Sequence, residues 1–127
     1  MKSFVQVLKF GGTSVGNGER IRRVAQIIAR TYNDAIEAFP VVVVSAMSKV
    51  TDQLLRIAGQ VCAGEQAAYE HEVQTLKQKH LDAAEKAVHD AGRRDALCQD
   101  LEAAFAALEQ DNDSSRDAVS LASARLK

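Results

Sequence analysis

Two short stretches of this sequence bring together residue types that can do chemistry. The first is Lys9-Phe10-Gly11-Gly12-Thr13-Ser14. Adjacent glycines let the backbone approach an anion closely and present its N–H groups. Thr13 and Ser14 add hydroxyl donors, Lys9 adds a full positive charge, and a helix that starts near Asn17 would aim its positive end at the same place. Together they suit a phosphate. The pattern is neither the common P-loop, since the lysine precedes the glycines, nor a dinucleotide fingerprint. The competing reading is a tight Gly-Gly turn beside a solvated lysine. The second stretch, Ser45-Ala46-Met47-Ser48-Lys49-Val50-Thr51, gathers three hydroxyls and an amine that could hold a carboxylate or an amino group. Its competing reading is helix capping, with Ser48 as N-cap and Thr51 in the first turn.

Both stretches need a frame to bring them together. Phe4-Val5-Gln6-Val7-Leu8 is short, apolar and β-branched, and reads as a strand buried on both faces. Asn17 offers an N-cap to a helix whose Ile21, Val24, Ile27 and Ile28 recur at helical spacing, with Arg20, Arg22, Arg23 and Arg30 mostly on the other face. Asn33-Asp34 marks a break. Pro40 precedes Val41-Val42-Val43-Val44, a second buried strand, and Val50, Leu54, Leu55 and Ala58 begin another helix. Strand, helix, strand, helix with short connections is a right-handed βαβ unit with a helix added. In such a unit both polar stretches fall at the carboxyl edge of one parallel sheet, where α/β proteins bind ligands.

Residues 64–127 read as mainly helical, and residues 1–63 as the half that carries the phosphate and substrate stretches. Tyr69, Val73, Leu76, His80, Leu81, Ala84 and Val88 form one apolar stripe, which Gly92 is expected to end. Leu97, Leu101, Phe105 and Leu108 form a second, giving a helical hairpin. Asp111-Asn112-Asp113-Ser114-Ser115 reads as a polar turn that caps a last helix through Leu126. His71, His80 and His89 read as solvated helix-face residues, and no metal site is expected.

Bulk composition narrows the partners. The 127 residues carry 26% charged and 46% hydrophobic side chains and a formal net charge of -1. That balance gives no basic excess for nucleic acid or an anionic membrane. The longest apolar run, Phe39 to Val44, is far below spanning length. Cys62 and Cys98 have no metal-type spacing and read as reduced thiols, so the cytoplasm is the expected compartment. Small molecules or other protein surfaces are the expected partners.

Val7-Leu8-Lys9-Phe10-Gly11-Gly12-Thr13-Ser14-Val15 resembles the aspartokinase signature of the amino-acid kinase superfamily. Val42 through Leu55, with Ser45-Ala46-Met47-Ser48-Lys49-Val50-Thr51 at its centre, is similar to that family's second segment. The matches come in family order and cover roughly the first 60 residues; the helices that follow resemble the family's variable helical insertion in kind only. The resemblance implies an α/β chain with part of a three-layer αβα fold. It implies transfer of the terminal phosphate of ATP, with Mg2+, to the side-chain carboxylate of L-aspartate, giving 4-phospho-L-aspartate on the route to lysine, threonine, methionine and isoleucine. Under it Lys9 contacts the transferring phosphate, Gly11 and Gly12 offer amides to its oxygens, Thr13 and Ser14 line the nucleotide side, and Thr51 with Ser45 holds aspartate.

The resemblance has gaps. Asp117 through Lys127 lacks the family's Gly-Glu pair, and the family's nucleotide-binding half has no counterpart among these residues. The expectation is an amino-terminal portion of a longer or oligomeric kinase, inactive alone. The alternative is a non-catalytic helical binding or assembly module that keeps the start of the kinase fold. A different amino-acid kinase is disfavoured by Thr13-Ser14 after the glycines.

Overall fold

A computed structural model describes the backbone of residues 5–35 and 39–125, and their side chains except at 116 and 118–125. The chain runs β1 (Val7–Phe10), α1 (Gly18–Asp34), β2 (Val41–Val44), α2 (Val50–Ala63), α3 (Gln66–Ala87) and α4 (Ala91–Arg125). The strands are parallel and pair Val7 with Val41, Leu8 with Val42, Lys9 with Val43 and Phe10 with Val44. The architecture is mixed α/β: one two-stranded parallel sheet and four helices among the described residues.

The first strand lies further along the chain than its hydrophobicity indicates, so Lys9 and Phe10 belong to it. The ladder sets this position. Val41 N–H donates to the Gln6 carbonyl at 2.9 Å, and Ser45 N–H donates to the Phe10 carbonyl at 3.1 Å, so the four valines of β2 are spanned from Gln6 to Phe10. Phe4, the start of the expected strand, lies outside the described residues. Neither strand is buried on both faces. Alternation puts Val7 and Lys9 on one face with Val41 and Val43, and all four are exposed, Val7 by 60%. Leu8, Phe10 and Val42, on the other face, are half-buried.

The core lies in the helices. Val50, Ile57 and Val61 of α2 meet Tyr69, Val73 and Leu76 of α3 and Phe105 of α4, with Met47 and Leu108 packed at the margin. Val73 and Leu76 are 0% and 1% exposed. α1 and α2 both pack on α3, and α4 packs on α2 and α3. The connection from α2 to α3 is tight because Gly64 adopts φ 74° and its N–H reaches the Gln60 and Val61 carbonyls. That left-handed closure suits glycine, which has no Cβ to oppose it.

Three local expectations change in the helical half. The α3–α4 break falls at Val88 to Asp90, and Gly92 sits in the first turn of α4. Asp90 causes this by capping: its carboxylate accepts from Arg93 N–H at 2.8 Å. The polar run Asp111 to Ser115 is no turn, and α4 passes straight through it. Ser114 Oγ bonds back to the Gln110 carbonyl at 3.0 Å, and Asp113 accepts from the Tyr69 hydroxyl at 2.7 Å, so these side chains are used within and across helices rather than for reversal. Leu126 lies outside the described residues. His80 is half-buried rather than solvated, with Nδ1 2.7 Å from the Leu76 carbonyl oxygen and its ring edge-on to Phe105 at 5.4 Å. His71 and His89 are exposed as expected.

Candidate functional site

Parallel pairing in register carries the two polar loops to one edge of the sheet. The loop after β1 holds Gly11 to Asn17, and the loop after β2 holds Ser45 to Lys49. They touch. A Cβ built on Gly12 would lie 3.3 Å from the Ala46 carbonyl oxygen, 3.6 Å from Ser45 Oγ and 3.8 Å from Ser48 Cα. On Gly16 it would lie 3.6 Å from Ser48 Cβ. At Gly12 a Cβ would press on the Ala46 carbonyl, so glycine eases the approach of the two loops there; at Gly16 it would meet the second loop only at ordinary packing distance.

The first loop is a compact turn. Ser14 N–H and Val15 N–H both donate to the Gly11 carbonyl, at 3.0 and 3.2 Å. Those two amides are therefore satisfied by the protein. The amides of Gly12 and Thr13 form no hydrogen bond among the described residues. Arg20 braces the turn from α1, its Nη1 donating to the Thr13 carbonyl at 2.6 Å. The α1 start is capped as expected, Asn17 Oδ1 accepting from Arg20 N–H at 3.0 Å. Lys9, Thr13 and Ser14 are all exposed at this edge. Lys9 forms no ion pair or hydrogen bond among the described residues, so its ammonium is not committed elsewhere.

The second loop differs from the capping arrangement. Ser48 is not the N-cap of α2; Lys49 is, in a left-handed conformation with φ 66°, and no side chain caps there. Val50 N–H donates to the Met47 carbonyl at 3.2 Å, closing a turn whose third residue is Lys49. Turns of that geometry favour glycine at that place. The Ser48 carbonyl accepts from the Lys79 ammonium, which arrives from α3. With Ser48 freed from capping, Ser45 and Thr51 remain exposed hydroxyls on either side of it.

Two grooves flank the contact. One, about 470 Å³, runs between the first loop and α3 and includes Gly16, Asn17, Met47, Lys79, Asp82 and Lys86. The other, about 380 Å³, lies over the opposite side of the turn and includes Phe10, Thr13, Ser14, Arg20 and Arg23. Arg20 is expected on the face of α1 opposite its apolar stripe, and its place three residues after the N-cap brings it back over the loop. Lys79 carried no local signal, since its role appears only when α3 folds against the second loop.

Residues 5–121 match the amino acid kinase family. The chain is 54% identical over 56 residues to an aspartokinase of Mycobacterium bovis, covering 44% of this chain and 13% of that protein. It is 60% identical over 48 residues to the chloroplastic bifunctional aspartokinase/homoserine dehydrogenase 2 of Arabidopsis thaliana, covering 38% of this chain and 5% of that protein. A chloroplastic bifunctional aspartokinase/homoserine dehydrogenase of Daucus carota is 40% identical over 72 residues, 57% of this chain and 7% of its own. The matched stretch thus spans about an eighth or less of these relatives. The family match, in contrast, takes in nearly every described residue from β1 into α4, and the chain belongs to the amino acid kinase family.

Proposed function

We propose that these residues form the phosphate and acceptor side of an aspartokinase active site. The observation that supports the reading is the close approach of Gly12 to Ala46 and Ser45, which brings the glycine turn beside a hydroxyl-bearing loop. A side-chain carboxylate oxygen of L-aspartate, held by Ser45 and Thr51, attacks the terminal phosphorus of ATP. The bond from that phosphorus to the bridging oxygen breaks, and ADP departs with the electron pair. Lys9 offsets charge on the transferring group, the amides of Gly11 and Gly12 meet its oxygens, and Thr13 and Ser14 line the nucleotide side. Such transfer depends on positioning and charge stabilisation more than on covalent chemistry.

Magnesium fits this set as an ion carried by ATP. The groups at the loops are amides and hydroxyls, and no cluster of three or more His, Cys, Asp or Glu side chains gathers among the described residues. Mg2+ is commonly held through substrate phosphates with few protein ligands. The reading extends to synthesis of lysine, threonine, methionine and isoleucine, to a cytoplasmic location, and to action as part of a longer or oligomeric kinase, the 127 residues being silent alone. The exposed valine face of the sheet supports that last point, since a two-stranded sheet is marginal without cover. No helix among the described residues is long and apolar enough to cross a membrane.

One observation favours the second reading, a helical assembly module: the best-buried residues, Ile57, Val73 and Leu76, all lie in α2 and α3. The deciding experiment is an ATP- and aspartate-dependent acyl-phosphate assay on the whole gene product. Lys9→Ala should lower turnover by roughly 10²–10³-fold, the usual effect of removing one transition-state donor. Unchanged turnover would remove Lys9 from the mechanism, and no turnover in the unaltered protein would favour the module.

A further inference from the structure

We propose that Lys79, on α3, is a positioning residue that sets the acceptor loop against the phosphate turn. The inference rests on the kinase reading above and adds to it a residue outside both motifs. The Lys79 ammonium donates to the Ser48 carbonyl across 31 positions of sequence, in a half-buried setting. Lys79 forms no ion pair among the described residues, whereas its neighbour Lys77 pairs with Glu102. Its charge is spent on a backbone carbonyl.

That carbonyl sits at the point where the acceptor loop is most constrained. The next residue, Lys49, is held at φ 66°, a conformation that a residue with a Cβ keeps only when its surroundings impose it. Three bonds hold the chain around it: Val50 N–H to the Met47 carbonyl and Gln53 N–H to the Lys49 carbonyl at 3.0 Å, both local, and Lys79 to the Ser48 carbonyl, which comes from another helix. Ser48 is also where the loops meet, next to the positions a Cβ would take on Gly12 and Gly16. Met47 is anchored on the helical core. A chain of contacts therefore leads from α3 through Lys79 and Ser48 to the glycine turn, and fixes Ser45 and Thr51 on either side. Without the ammonium the loop keeps its two local bonds but loses its hold on α3, so Lys49 relaxes toward negative φ and both hydroxyls move relative to Gly12.

The test compares Lys79→Met, Lys79→Gln and Lys79→Arg with the unaltered chain. By NMR, Lys79→Met should cost Lys49 its left-handed backbone signature and shift the amides of Gly12 and Gly16, while those of Val73 and Leu76 hold their positions. Lys79→Arg, which keeps a charged donor, should restore the signals; Lys79→Gln supplies the same comparison if the methionine variant does not fold. In the whole gene product Lys79→Met should raise KM for L-aspartate by about tenfold, with KM for ATP unchanged, the kind of loss that follows a small misplacement of a binding group. Unmoved Lys49 and glycine signals would overturn the inference, as would a displaced loop with unaltered aspartate KM. Failure of the kinase reading looks different: the unaltered protein would show no ATP- and aspartate-dependent turnover and aspartate would not perturb Thr51, which would remove the functional half of the inference whatever Lys49 does.

Discussion

Gly18, the first residue of α1, is pressed against the backbone of Ala83 in α3: a Cβ placed on it would lie 2.4 Å from the Ala83 carbonyl oxygen and 2.7 Å from Lys86 Cβ. The Gly11–Asn17 turn leads directly into this contact, so the position of the turn and the seating of α1 on α3 are linked. Gly18→Ala should destabilise the chain by about 3 kcal/mol, the upper part of the usual cost of overpacking. The urea midpoint reads it. An unshifted midpoint would mean that α1 seats elsewhere.

Gly59 gives the opposite sign. It lies within α2, is exposed, and a Cβ there meets nothing within 4 Å. Gly59→Ala should stabilise by roughly 0.5–1 kcal/mol, because alanine loses less backbone freedom in a helix. Measured beside Gly18→Ala, it separates packing from helix propensity.

Leu76 is 1% exposed and lies among Val50, Ile57, Val73 and Phe105. Leu76→Ala should cost about 2–5 kcal/mol by loss of transfer energy and the cavity left behind. Thermal and urea unfolding should report the same loss if α2, α3 and α4 melt as one unit.

Lys49→Gly should raise stability by about 1 kcal/mol, since glycine adopts the left-handed region without the penalty a Cβ brings. Lys49→Val should lower it. Equal midpoints for the three chains would show that the residue is not held at positive φ in solution.

Lys9 and Thr51 are exposed and outside the core, so Lys9→Ala and Thr51→Val should change folding stability by no more than about 0.5 kcal/mol. Paired with turnover in the whole gene product, this separates loss of chemistry from loss of fold. A large drop in the unfolding midpoint would mark either residue as structural.

Much of the fold was legible because local rules and tertiary packing agreed. Asn17 caps α1, the valine run forms β2, and Tyr69, Val73 and Leu76 point one stripe of α3 into the core. Reading failed where a distant residue decided the outcome. Asp113 has the composition of a turn, but the Tyr69 hydroxyl, 44 positions away, engages it within a continuous helix. Ser48 has the chemistry of a cap, but its loop instead places Lys49 in the left-handed region while Lys79 takes the Ser48 carbonyl. The valines of both strands have the pattern of buried strands, yet burial depends on what lies opposite, and the described helices spend their apolar stripes on one another. The juxtaposition of the two polar loops was legible from parallel pairing alone; the braces supplied by Arg20 and Lys79 were not, because arginine and lysine on helices usually serve solvation.

The uncovered flank of Val7, Val41 and Val43 should give the chain a colloidal behaviour that runs opposite to ordinary solubility with temperature. Apolar association strengthens on warming and in kosmotropic salts such as sulfate. Concentrated solutions should therefore scatter more light at 37 than at 5 °C, well below unfolding, and clear again on cooling. A lysine in place of Val43, beside Lys9 in the ladder, should abolish that clouding through like-charge repulsion between molecules.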